Sequence, residues 1–199
     1  MSAPARLLNL SPEEYLEREK NSPVRHEYVD GNVYARLGES KNHARIAGNM
    51  VWLLSLHLDE SKYESFISTV KVKVSPNQYY YPDVVVECKA SEVADDEYLI
   101  FHPILLVEVL SPSTKRTDKV EKFNAYQQIV GLREYIIVAQ DQMRVEVYRH
   151  EKAGDVWQGQ VFTEAEQEVT LQSVGLTVNL ATIYRRVIFP PPTEGEPNQ

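Results

Sequence analysis

The stretch "YYYPDVVVECKA", Tyr79 to Ala90, sets a proline and a carboxylate directly in front of three valines. A strand buried on both faces reads as unbroken Val, Ile and Leu, and an acid at its mouth is costly unless something pairs with it. Asp83 is therefore either a turn residue whose side chain caps local amides after Pro82, or part of a site. "HPILLVEVLS", residues 102–111, repeats the anomaly with Glu108 inside an apolar run. A carboxylate flanked by "ILLV" and "VL" is hard to explain as solvated surface, which leaves an edge strand, a buried ion pair or a site.

Outward from these two strands, "FISTVKVKVS" (66–75) alternates Val70, Val72 and Val74 with Lys71 and Lys73. This predicts a half-buried strand whose lysines meet water or an anion. "SKNHARIAGNMVWLLSLHLDE" (40–60) carries Ile46, Met50, Leu53, Leu54 and His57 at helical spacing, the pattern of a core-facing helix. "STKRTDKVEKFNAYQQIVG" (113–131) is a second helix, with Val120, Phe123, Tyr126 and Val130 as its packing stripe and Gly131 as its stop. "REYIIVAQ" and "MRVEVYRHE" then add two strands joined through Asp141 and Gln142.

Helix, strand, strand, strand, helix, strand, strand is an α+β arrangement around a mixed sheet. Upstream, Ser11, Pro12 and Glu14 form a capping-box start for a short helix, and "HEYVDGNVY" turns at Asp30-Gly31 as a hairpin. Downstream, residues 155–189 read as extra short strands and a final helical turn. Residues 1–189 are expected to form one domain, and the Pro-rich acidic segment 190–199 to be disordered.

Composition narrows the function. The chain has 199 residues, 43% hydrophobic and 25% charged, with a single cysteine, Cys88, so an intrachain disulfide is impossible and a cytoplasmic location is expected. No stretch approaches the roughly 20 apolar residues of a membrane span. The net charge of −8 confines any nucleic-acid contact to a local surface. "STKRTDK", Lys71 and Lys73 are the candidates for it, beside the alternative of an ordinary solvated loop. Tyr79, Tyr80 and Tyr81 are read as packing residues before stacking platforms.

Two acids on neighbouring strands with a nearby cation suit metal-assisted phosphodiester hydrolysis, which needs carboxylates converging on a hard ion. Here the chain resembles the restriction-endonuclease-like Uma-two family, a branch of the PD-(D/E)XK nuclease superfamily. The resemblance rests on "YPDVVVE", "ILLVEVLSPST" and "TDKVEKFNAYQQIVGLREYIIV", and more weakly on "HEYVDGNVY" and "NHARIAGNM". It implies a restriction-endonuclease-like mixed sheet flanked by helices, and a Mg²⁺ or Mn²⁺ site held by Asp83 and Glu108. The lysine of the tripeptide would stand at 110, where this chain has Leu110; the resemblance supplies it instead from the next helix, as Lys122. Glu27 and His43 are possible additional site residues. Catalytic roles are thus implied for Asp83, Glu108 and Lys122, and DNA as substrate.

Glu87 and Lys89 fit the letters E-x-K better, but Asp83 and Glu87 stand about 13 Å apart along one strand, too far for one cation. Both are assigned to the surface end of that strand. The structural alternative for Lys122 is an i, i+4 pair with Asp118. Two like charges held close would repel, so replacing Asp83 or Glu108 is expected to stabilise the metal-free fold or leave it unharmed. The rival to an endonuclease is a non-catalytic module that keeps the fold to bind nucleic acid or protein. A homodimer pairing the strands after residue 143 is compatible with either.

Overall fold

The computed structural model describes residues 6–7, 9–36, 38–88, 97–110, 117–151 and 155–189. The segment 190–199, Lys89 and most of the "STKRTDK" loop lie outside them. Strand β1 (Arg6–Leu7), helix α1 (Pro12–Lys20) and the hairpin β2 (His26–Val29) and β3 (Asn32–Ala35) open the chain, followed by the long helix α2 (Lys41–Leu58). The capping box is present: Glu14 N–H donates to Ser11 Oγ and Ser11 N–H to Glu14 Oε2. The hairpin turn puts Asp30 at φ +46° and Gly31 at φ +86°, the two left-handed positions its tight turn requires.

The next strands depart from the expected pattern in an instructive way. "FISTVKVKVS" is two strands, β4 (Tyr63–Ile67) and β5 (Lys71–Ser75), and the stretch from Gln78 is also two, β6 (Gln78–Tyr80) and β7 (Val84–Cys88). β5 and β6 belong to one six-stranded sheet with the N-terminal hairpin, and β4 and β7 to a second. The chain therefore crosses between sheets twice, at 68–70 and at 81–83, and the corners are tied by Ser68 N–H donating to Asp83 O at 3.0 Å. Pro82 explains the break, because it has no N–H to give a ladder. β8 (Leu99–Ile100) closes the first sheet beside β5, in parallel.

The second sheet runs β12-β11-β10-β9-β7-β4, with β9 (Pro103–Leu110), β10 (Glu134–Ala139), β11 (Val145–Arg149) and β12 (Gln158–Phe162). β9 and β10 are parallel, joined through a π-helical stretch, Thr117–Lys122, and helix α3 (Phe123–Tyr126), while the other neighbours are antiparallel. A separate hairpin, β13 (Glu168–Leu171) and β14 (Leu176–Asn179), leads into helix α4 (Leu180–Ile183). The fold is α+β, as the element order predicts.

Side chains of β7, β9 and β10 alternate between two cores. One face (Val84, Val86, Leu105, Val107, Ile136) packs on Ile46, Met50 and Leu54 of α2. The other (Val85, Leu106, Leu110, Ile137) packs on Tyr80, Tyr126 and Ile129. Helical readings are corrected at three places. His57 is exposed, its Nε2 2.9 Å from Val174 O. Val120 and Val130 point outward at 53% and 86% exposure, because the α-helical part of the second helix stops at Tyr126 and the chain turns toward Gly131 (φ +99°). Lys71 is buried, its ammonium 5.6 Å from the centroid of the Tyr81 ring, so it is not the water-facing lysine its alternation suggests.

Candidate active site

Glu108 stands in β9 between Leu106 and Leu110, on the face that meets α3. Its Oε1 accepts from the Lys122 ammonium at 3.1 Å and from the Tyr126 hydroxyl at 2.8 Å. Lys122 and Tyr126 are four residues apart, so one helical face presents both to the same oxygen. The ammonium also lies 2.9 Å from Glu27 Oε1, brought in by β2, and 5.6 Å from the centroid of the Tyr80 ring. Lys122 is thus engaged with two acids of other elements. Burial, followed by the charge of Glu108, pushes the Tyr126 hydroxyl well above its ordinary pKa and keeps it a donor.

Asp83 occupies the corner between β6 and β7, fully enclosed. The β7–β9 ladder pairs Val84 with Val107, and its continuation sets Asp83 opposite Glu108. There the side chain takes the place of a strand carbonyl, with Oδ2 accepting the Val109 N–H at 2.7 Å. Arg36, just after β3, donates to Oδ1 at 2.8 Å and to the carbonyl of Tyr81. His43, in the first turn of α2, sets Nε2 3.0 Å from Oδ2 and Nδ1 2.9 Å from Glu39 Oε2. The Nδ1 contact is out of hydrogen-bond alignment.

Opposing effects are large here. Burial alone raises the pKa of Asp83, but hydrogen bonding and charge from His43, then Arg36 and the Val109 amide, pull it down to about 2. Burial alone lowers that of His43, but the two carboxylates that flank it, Asp83 first and then Glu39, carry it up to about 10. Glu39 is likewise lowered, against its burial, by His43. Arg36 is held charged, against burial, by Asp83, Glu27 and Glu108 together. The imidazole is an imidazolium at neutral pH, clamped between two carboxylates.

All five residues singled out from the sequence therefore come to one place: Asp83 and His43 on one side, Glu108 and Lys122 on the other. Glu27 ties Lys122 to the corner that precedes Asp83, since the same oxygen that meets Lys122 accepts the Tyr81 N–H at 3.3 Å. Three participants escaped the sequence reading. Tyr126 is signalled by its i+4 relation to Lys122, and Glu39 by its i−4 relation to His43. Arg36 is 47 positions or more from any motif residue except Glu27 and His43, and nothing short of the hairpin's geometry points to it. Tyr79, Tyr80 and Tyr81 are buried at 2%, 6% and 0% exposure, so they pack and do not stack on a ligand. Glu87 lies half-buried near the far end of β7, opposite Glu64 of β4.

A family model described as "Putative restriction endonuclease", Uma2, matches residues 12–182. The chain belongs to the Uma2 family. An uncharacterized Synechocystis protein, slr1290, is 36% identical over 181 residues, covering 90% of this chain and 94% of that one. A second, sll1609, is 35% identical over 148 residues, covering 73% and 82%. A crystal structure from Anabaena variabilis, described as a "putative nuclease", superposes with a TM-score of 0.73 at 17% identity, over 90% of this chain and 99% of that one. The fold of this Uma2 chain is thus that of a solved nuclease-like protein.

Whether the residues suit a divalent cation is answered by the donors themselves. Glu39, His43 and Asp83 bring one ligand atom each to within 4.8 Å of one another. Carboxylate oxygens are the hard donors that Mg²⁺ and Mn²⁺ take, whereas His43, protonated between Asp83 and Glu39, offers an ion no lone pair until it gives up a proton. The carboxylates of Asp83 and Glu39, and of Glu108 across the β7–β9 ladder, therefore fit a hard cation, and His43 does not while it is charged.

Proposed function

We propose that this chain is a Mg²⁺-dependent endonuclease, hydrolysing phosphodiester bonds in DNA, with Asp83 and Glu108 as the metal-holding carboxylates. What supports this reading is the β7–β9 register, which sets Asp83 opposite Glu108, together with a buried lysine from a third element on Glu108. A bound Mg²⁺ or Mn²⁺ would supply the charge that activates water and neutralises the scissile phosphate. Lys122 fixes Glu108 and offers an ammonium to the attacking water or the phosphate. Tyr126 orients the same carboxylate oxygen. Arg36 and His43 hold Asp83 ionised and restrain it in one rotamer. Cleavage of plasmid DNA in Mg²⁺ or Mn²⁺, abolished by chelator and by Asp83→Asn, tests the reading.

One observation favours the rival, a module that binds nucleic acid without cutting it. Asp83 already spends Oδ2 on His43 and Val109 and one lone pair of Oδ1 on Arg36. Metal must displace one of these partners or use what Oδ1 has left. Saturable binding of Mg²⁺ in a calorimeter, with no cleavage of duplex, single-stranded or branched DNA, would be the signature of the module.

A further inference from the structure

Outside the acid cluster, a cleft of about 150 Å³ is lined by Asn49, Trp52, Thr182, Arg185 and Arg186. The cleft opens to solvent and has room for about one aromatic ring. Trp52 is 54% exposed, and Arg185 and Arg186 are exposed beside it. Asn49 builds the cleft by donating Nδ2 to Ile183 O at 2.8 Å and to Arg185 O at 2.9 Å. Directly after these fixed residues Arg186 sits at φ +63°, a left-handed conformation that favours glycine. A strained arginine beside an exposed tryptophan is an outlier of the kind found at ligand sites.

The cleft lies on the same side of α2 as Asn42, one residue before His43. Asn42, Arg45, Asn49 and Trp52 form one stripe along α2, and Asn42 both holds Arg45 Nη1 at 3.2 Å and donates to Ile188 O at 2.7 Å. The chain from Ile183 to Ile188 thus runs back along α2 toward the acid cluster. Arg45, Arg185 and Arg186 pair with no carboxylate among the described residues. On a chain of net charge −8, three guanidiniums left unpaired along one track are a local anion path.

We propose that this track is an accessory site for single-stranded nucleic acid. A base stacks on Trp52 within the cleft, and the adjoining phosphates rest on Arg185, Arg186 and Arg45. Trp52 lies nine residues from His43, about 13 Å along a helix, so a strand seated here reaches the acid cluster within a few nucleotides. The occupant follows from the nuclease reading, but the site is tested without cleavage.

Trp157 is replaced by Phe so that Trp52 is the only tryptophan, and a (dT)₁₀ oligonucleotide is titrated in chelator. Quenching of Trp52 emission is expected, with affinity for labelled (dT)₁₀ weakened about tenfold or more by Trp52→Leu. Arg185→Gln with Arg186→Gly, which also relaxes the backbone, should lower the salt slope of binding by about 1.4. Unchanged Trp52 emission at saturation, or variants that fold cooperatively and bind like wild type, overturns the proposal. Equal quenching by a polyglutamate peptide also overturns it, in favour of an acidic protein partner. Cleavage without Trp52 quenching sinks this site and spares the nuclease; quenching without cleavage does the reverse.

Discussion

Lys122 Nζ lies 3.1 Å from Glu108 Oε1, with side-chain exposures of 7% and 4%. A pair this buried is costly to break, because the surviving charge stays desolvated. Lys122→Met is expected to destabilise the fold by about 3 kcal/mol and to reduce cleavage by at least about 100-fold, measured by urea unfolding and a plasmid assay. Like-charge relief, the expectation from two neighbouring acids, is overridden by compensation: Glu108 has Lys122 and Asp83 has Arg36 and His43. Asp83→Ala and Glu108→Ala should therefore cost stability without metal, where repulsion alone predicts a gain or no change.

The Tyr126 hydroxyl gives a finer probe of the same oxygen. Tyr126→Phe should cost about 1 kcal/mol of stability, the worth of one hydrogen bond, and lower kcat more than it raises KM. Equal kinetics would remove Tyr126 from the site and leave it a packing residue.

Stability should follow pH through two groups of opposite sign. The Asp83 pKa is depressed to about 2, so its contribution is present above pH 4 and fades as pH falls from there toward 2. The His43 pKa is raised to about 10, so its contribution is full below pH 6.5 and is lost as pH rises from there to 10. The metal-free fold should be most stable between about pH 4 and 6.5, with an alkaline decline of at most about 1.4 kcal/mol per pH unit from His43. Denaturant titrations across pH on wild type and His43→Gln check this; an alkaline decline of unchanged size in the variant contradicts it.

Far from the cleft, Glu134 is buried and accepts from Gln172 N–H at 2.9 Å, Ser173 N–H at 2.8 Å and Ser173 Oγ at 2.5 Å. It fastens the β13–β14 hairpin to β10. Glu134→Ala should cost about 2–4 kcal/mol, leaving two amides unpaired, while any metal binding by the folded protein stays unchanged. That separates loss of fold from loss of site.

The amino-acid pattern revealed the strands through their apolar runs and the turn at Asp30-Gly31 through its residue types, and it marked the two buried candidate acids through their intrusion into those runs. It did not reveal that two strands each change sheets. Alternation is a local signal, and Val70, Val72 and Val74 read the same whether the strand is continuous or begins afresh at Lys71. Pro82 was the clue, since a proline inside a ladder forfeits a hydrogen bond. Lys71 looked exposed for the same reason: period two tells which residues share a face, not which face is covered. Arg36 was illegible because a surface arginine and one that reaches a buried aspartate have the same letters around them.

The proposed phosphodiesterase centre requires that both Asp83 and Glu108 support metal-dependent cleavage. It is tested most directly by incubating purified wild type, Asp83→Asn and Glu108→Gln with supercoiled, linear duplex, single-stranded and branched DNA in Mg²⁺ or Mn²⁺, with folding of each variant verified by its cooperative unfolding. The prediction is nicking or cutting by wild type alone, stopped by chelator. Folded wild type that leaves every substrate intact in both metals, or variants that cut as fast as wild type, would contradict it.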